Sequence, residues 1–159
     1  MTKPVLPALD PAQVPDQTTS GYPDPYRSRV SGRHRKRLGD AAGLKNFGVN
    51  LVTLDPRSES SMRHWHAKQD EFIYVLEGEV ALVTNAGRQT LRAGMTAGFP
   101  AGKSDAHQLV NETDRPVVYL EIGDRTPDDS VAYPDVDLAA RMVKGKWVYT
   151  HKDGRPYER

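Results

Sequence analysis

Between Gly48 and Gly123 the chain is a series of short β-branched or aromatic runs, each stopped by a turn signal. The run 49–54 ends at Asp55-Pro56, and Glu71–Glu77 ends at Gly78. The run 80–83 leads into Asn85-Ala86-Gly87, 89–91 into Gly94, and 95–99 into Pro100. The run 107–110 stops at Asn111-Glu112-Thr113-Asp114, and 117–122 at Gly123-Asp124. Punctuation every 8–12 residues or so predicts an all-β barrel or sandwich. No helical periodicity of useful length competes with it. With 159 residues the chain has the size of one domain. A chain of this size buries about two-thirds of its unfolded surface, so its core needs neither a disulfide nor a metal to form.

The flanks read differently. Residues 1–26 carry prolines at 4, 7, 11, 15, 23 and 25, which break helices and remove ladder donors. An extended arm is expected, docked on the body or on a second subunit. Residues 38–47 suggest a short linker or helical turn. In the tail, Pro127, Pro134 and Pro156 leave room for a short helix over 136–142, with Trp147, Tyr149 and Tyr157 as anchors on the barrel. The expected organisation is therefore an arm and linker over 1–47, a barrel core over 48–123 and a packing tail over 124–159.

Charge is uneven. Residues 1–45 hold eight basic and four acidic residues, and the remainder 14 basic and 17 acidic, for a net charge of +1. The cluster Arg33-His34-Arg35-Lys36-Arg37 reads as a solvated arm or loop. Five residues without interleaved aromatics make no case for nucleic acid. There is no cysteine, which excludes disulfides, thiolate metal sites and Cys nucleophiles. No run of about 18 apolar residues exists, so no membrane span is expected. The first ten residues hold no apolar core of a secretory signal. A cytoplasmic location, with no membrane or nucleic-acid partner, is the expectation.

The chemistry is concentrated in histidines. His64-Trp65-His66 falls in an expected strand, where residues i and i+2 share a face, so two imidazoles project together and Trp65 faces the other way. Glu71 heads the next strand, with Asp70 as the rival ligand, since only one of the two can point inward. His107 begins another strand after a Gly/Pro turn. Three imidazoles and a carboxylate suit one divalent transition metal among Mn, Fe, Zn, Ni and Co. A packing or surface pair is the alternative for any one of these residues alone.

In order along the chain, His64-x-His66, four residues, Glu71, six residues and Gly78 resemble the first motif of the cupin superfamily. Gly94, five residues, Pro100-Ala101-Gly102, four residues, His107, three residues and Asn111 resemble the second. Two departures stand out: Ser58 occupies the position of the first motif's leading glycine, and four residues rather than two separate Gly102 from His107. The flanking stretches resemble a group of small bacterial single-domain cupins, some of which carry a sugar-phosphate isomerase label.

The resemblance implies a double-stranded β-helix, a jelly-roll barrel, with His64, His66, Glu71 and His107 as metal ligands inside one end. It implies turn roles for Gly78, Gly94, Pro100, Gly102 and Asn111, and a homodimer. The functional expectation is a metal-dependent enzyme acting on a small oxygenated metabolite, of isomerase, lyase or dioxygenase type. The alternative is a non-catalytic small-ligand or metal binding module. Arg63, Tyr74, Asn50 and Tyr119 are further polar residues on or near the barrel strands, and Lys103 and Arg63 the basic residues expected near its mouth.

Overall fold

Strand pairing begins well before residue 48. The computed structural model describes residues 7–158. Residues 1–6, where the expected arm starts, and Arg159 lie outside the described residues. The strands are β1 (Arg33–Arg37), β2 (Phe47–Leu54), β3 (Trp65–His66), β4 (Glu71–Glu77), β5 (Glu79–Thr84) and β6 (Gly87–Arg92). They continue with β7 (Thr96–Phe99), β8 (Gln108–Val110), β9 (Val117–Asp124), β10 (Ser130–Tyr133), β11 (Leu138–Val143) and β12 (Lys146–Thr150). A single helical turn, α1 (Leu38–Ala41), joins β1 to β2. No helix among the described residues is long and apolar enough to cross a membrane.

The strands pair antiparallel in three sheets, ordered β1-β2-β9-β4-β7, β12-β11-β10-β3 and β6-β5-β8. They form the expected jelly-roll barrel. Each run read from the sequence over 49–122 is present to within two residues. The period of two is plain in β4, where Ile73 and Val75 are buried while Phe72, Tyr74 and Leu76 are exposed. The main core joins Val52, Leu54, Ile73, Val75, Val117 and Tyr119 of the five-stranded sheet to Val80, Leu82, Leu91 and Leu109 of the neighbouring sheets. Burying each such aliphatic side chain stabilises the fold by about 1.5–3 kcal/mol.

Two flanking regions differ from expectation. The basic cluster 33–37 is not a solvated loop. It is the edge strand β1, paired along its whole length with β2, from Arg33 opposite Leu54 to Arg37 opposite Asn50. Residues 136–142 are not a helix but a turn followed by β11. There β11 and β12 form a hairpin whose two-residue loop, Lys144-Gly145, has positive φ at both positions (50° and 75°). That geometry suits the right-handed twist of a hairpin, and it rules out a helix running into the loop.

The arm docks on its own barrel. Gln17 and Arg35 exchange backbone hydrogen bonds at 2.9 and 3.0 Å. Tyr22 enters a second core with Val30, Met62, Val131, Tyr133, Leu138 and Ala140. Trp147, Tyr149 and Tyr157 pack against that cluster, as expected of anchors. The sheets curve around an open cavity of about 1060 Å³.

Candidate metal centre

His64 lies one residue before β3 and forms an antiparallel bridge with His107. Each donates its backbone N–H to the other's carbonyl, at 3.0 and 2.8 Å. This pairing brings residues 43 apart in sequence side by side, with ring centroids 4.7 Å apart. His66, two residues on in β3, projects from the same face, with its ring 5.2 Å from that of His64. Pairing of β3 with β10, His66 opposite Val131, fixes this face against the C-terminal sheet.

At the head of β4 the choice between two adjacent carboxylates is resolved. Asp70 is exposed and accepts the Ala101 N–H at 2.7 Å. Glu71 faces the histidines. Its Oε2 lies 2.8 Å from His107 Nε2 and 3.5 Å from His64 Nε2, and its Oε1 lies 3.4 Å from His66 Nε2. His64, His66 and Glu71 each present a ligand atom within 4.8 Å of one another. All four residues expected from the sequence are therefore brought together.

The outer ring nitrogens are held from behind. His64 Nδ1 donates to the Met62 carbonyl at 2.8 Å. His66 Nδ1 lies 2.6 Å from Asp129 Oδ2, and the other Asp129 oxygen accepts the Lys68 N–H at 2.7 Å. With the proton on Nδ1, the neutral form of either ring, the form that binds a metal, offers Nε2 as its lone-pair nitrogen. His107 is held differently, stacked on Phe99 at 3.6 Å and 6°.

The electrostatics follow from burial and crowding. Burial alone would raise the Glu71 carboxyl, but the three imidazoles around it hold it well below the usual carboxylate range. Burial opposes the charged form of His66, yet Glu71 and Asp129 outweigh it and push its pKa up to about 9. For His107 burial dominates and lowers the pKa. Glu71 Oε2 is a buried acceptor with no hydrogen-bond partner among the described residues. An unmet carboxylate oxygen among Nε2 atoms is a donor set that fits a first-row divalent ion.

The centre opens onto the large cavity, which Asn50, Tyr119 and Glu121 also line. On its other side, Trp65 and Lys103 border a small cavity of about 40 Å³. Tyr119 is almost fully buried, and burial raises its pKa. Tyr74 is exposed, on the outer face of β4. Arg63 is engaged by Asp135, at 2.8 and 2.9 Å, and by Asn85.

Two features were not read from the sequence. Asp129 lies 63 residues from His66, and no local spacing links them. The row Arg33, Arg35 and Arg37 lines the cavity. The run of basic residues over 33–37 was the only sequence trace of it.

Residues 50–123 match the family model for the cupin domain. A sugar phosphate isomerase of the cupin superfamily from Silicibacter pomeroyi is similar over nearly its whole length. It is 42% identical, with a TM-score of 0.91, over 95% of this chain and 96% of that one. A chain from Acidithiobacillus ferrooxidans, provisionally assigned as a sugar phosphate isomerase, is 31% identical with a TM-score of 0.72, over 81% of this chain and 83% of its own. A polyketide cyclase from Streptomyces resistomycificus shares the fold at 20% identity and a TM-score of 0.60, over 78% of this chain and 80% of its own. No curated protein matches the chain. Paired motifs, barrel and extensive similarity agree, and the chain belongs to the cupin superfamily.

Proposed function

We propose that this chain is a divalent-metal-dependent isomerase acting on a small oxygenated metabolite of the sugar-phosphate kind. In this reading His64, His66, Glu71 and His107 hold one Mn, Fe, Zn, Ni or Co ion. The observation that carries it is the convergence of three imidazole Nε2 atoms on the Glu71 carboxylate, at 2.8, 3.4 and 3.5 Å, at the wall of a large cavity. Two relatives at 42% and 31% identity bear the sugar phosphate isomerase name, one of them provisionally.

A divalent ion held there supplies Lewis acidity toward a carbonyl or enediolate oxygen and a fixed point for orienting substrate. The rest falls to the chain. Asp129 and the Met62 carbonyl lock the His66 and His64 rings, so the donors are preorganised. Isomerisation moves a proton between neighbouring carbons and needs a base within reach. Glu121 is one of two carboxylates of β9 that line the cavity, and it lies two residues from Gly123, which pairs with Glu71. In this reading it takes and returns that proton. Asn50, opposite Glu121 on β2, offers an amide to a substrate hydroxyl.

The test is metal content by mass spectrometry on protein purified without a histidine tag, for wild type and His66→Ala, followed by a screen of sugar phosphates with the metal found. About one ion per chain, lost in the variant with the fold intact, is expected. Little or no metal in the wild type after reconstitution would overturn the reading and leave a small-ligand binding module.

A further inference from the structure

The edge strand β1 carries Arg33-His34-Arg35-Lys36-Arg37, and alternation splits it into two faces. His34 turns to Asp55 at 2.8 Å and Lys36 to the Pro11 carbonyl at 3.0 Å. Arg33, Arg35 and Arg37 line the cavity. Arg33 and Arg35 are half-buried there and Arg37 is exposed, and a guanidinium taken out of water without a partner is costly.

Two of the three are engaged within the protein. Arg33 Nη1 donates to the Ser60 carbonyl at 2.7 Å, and Arg37 pairs with Asp40 at 3.6 Å. Arg35 differs. Its Nε is buried without a hydrogen-bond partner, and its guanidinium makes no ion pair among the described residues. Burial is the main influence on it and lowers its pKa, and the Glu121 carboxylate opposes that shift from a distance. Its backbone is fixed on both edges, paired with Val52 on β2 and bonded to Gln17 of the arm.

The sheet relates this arginine to the metal centre. Across the concave face, Val52, Tyr119 and Val75 continue the row of Arg35. Glu71 lies four residues along β4 from Val75, on the same face. Strand spacings put the two Cα atoms at most about 20 Å apart. The curvature of the barrel and the length of the arginine side chain shorten the gap their functional groups must span. A phosphate accepts hydrogen bonds from the guanidinium fork better than from a point charge.

We propose that Arg35, with Arg33 beside it, is the anion subsite of the cavity and holds the phosphate group of the substrate while the other end of the substrate reaches the His/Glu centre. The assignment of the far end rests on the isomerase reading above, whereas the anion subsite itself can be tested without it.

The probe is inorganic phosphate, titrated into the full-length chelator-treated protein at constant ionic strength and followed by 31P NMR line broadening and calorimetry. Saturable binding is expected. Arg35→Gln should weaken it about tenfold or more, whereas Lys36→Met, on the outer face, should leave it unchanged. Wild-type binding by Arg35→Gln, or binding that requires added metal, would overturn the proposal. So would acetate binding as tightly as phosphate, which would make the site a carboxylate subsite. Should Arg35→Gln lose native circular dichroism, Arg35→Lys decides: about threefold weaker binding supports the subsite, and unchanged binding overturns it. Metal assays on the same samples separate the two readings. Arg35-dependent phosphate binding in a wild type that takes up no metal would sink the isomerase reading and leave the anion subsite standing.

Discussion

Asp129 Oδ2 lies 2.6 Å from His66 Nδ1, and Asp129 has no exposed surface. A buried carboxylate of this kind fixes both the tautomer and the ring plane of the histidine in front of it. Its second oxygen is held by the Lys68 N–H, so the support is itself supported. Asp129→Asn keeps the shape and removes the charge. Metal affinity should fall about 10–100-fold, measured by competition with a chelating dye, with circular dichroism unchanged. Wild-type affinity in the variant would show that His66 needs no such orientation.

Asn111 organises the turn that follows β8. Its Nδ2 faces the carbonyls of Leu54, Asp55 and Arg115 at 3.0, 3.1 and 2.8 Å, and its Oδ1 accepts from the Thr113 backbone and hydroxyl. The residue is fully buried. Asn111→Ala leaves buried carbonyls unpaired and should cost about 2–3 kcal/mol, read from the midpoint of urea unfolding. A loss under about 0.5 kcal/mol would mean that water or a backbone shift replaces the amide.

Gly78, between β4 and β5, has φ of 77°, and a Cβ there would stand 2.9 Å from the Pro116 carbonyl oxygen. Backbone strain and collision act together. Gly78→Ala should cost about 2–4 kcal/mol. Gly145 has a similar φ of 75° but nothing within 4 Å of an added Cβ. Gly145→Ala should therefore cost only the strain, about 1 kcal/mol. Equal losses at the two positions would place the whole effect in φ.

The barrel between 48 and 123 was legible because each strand there is a short β-branched or aromatic run closed by a turn signal. The metal-ligand candidates were legible because His64 and His66 share a strand face and Glu71 and His107 sit at turn-marked strand starts. β1 was not, because a cavity-facing strand without apolar residues shows no hydrophobic alternation. Its inner row is arginine because the space it faces is polar. The hairpin β11–β12 was missed because Leu138, Ala140 and Met142 suit a strand face and a short helix alike. The deciding feature is the positive φ of both Lys144 and Gly145, and Lys-Gly announces a turn less clearly than Asn-Gly. Asp129 was out of reach because only the pairing of β3 with β10 carries it to His66.

The pair Arg63–Asp135 ties the residue before His64 to the turn between β10 and β11 through two parallel contacts of 2.8 and 2.9 Å. The Arg63 hydrogen bond holds the Asp135 carboxyl below its ordinary value. A folded pKa below the unfolded one means that the unfolded chain binds the proton more readily in acid. The stabilisation is thus complete above the unfolded value, near pH 4, and is lost as pH falls through the folded one. Asp135 is more than half exposed, so solvent screening limits the contribution to under about 1 kcal/mol. Asp135→Asn should therefore be less stable than wild type at pH 7 and nearly equal to it at about pH 2, as read by urea unfolding at both pH values. A stability difference that stays constant with pH would mean that the side chain acts through packing or neutral hydrogen bonds and not through its charge.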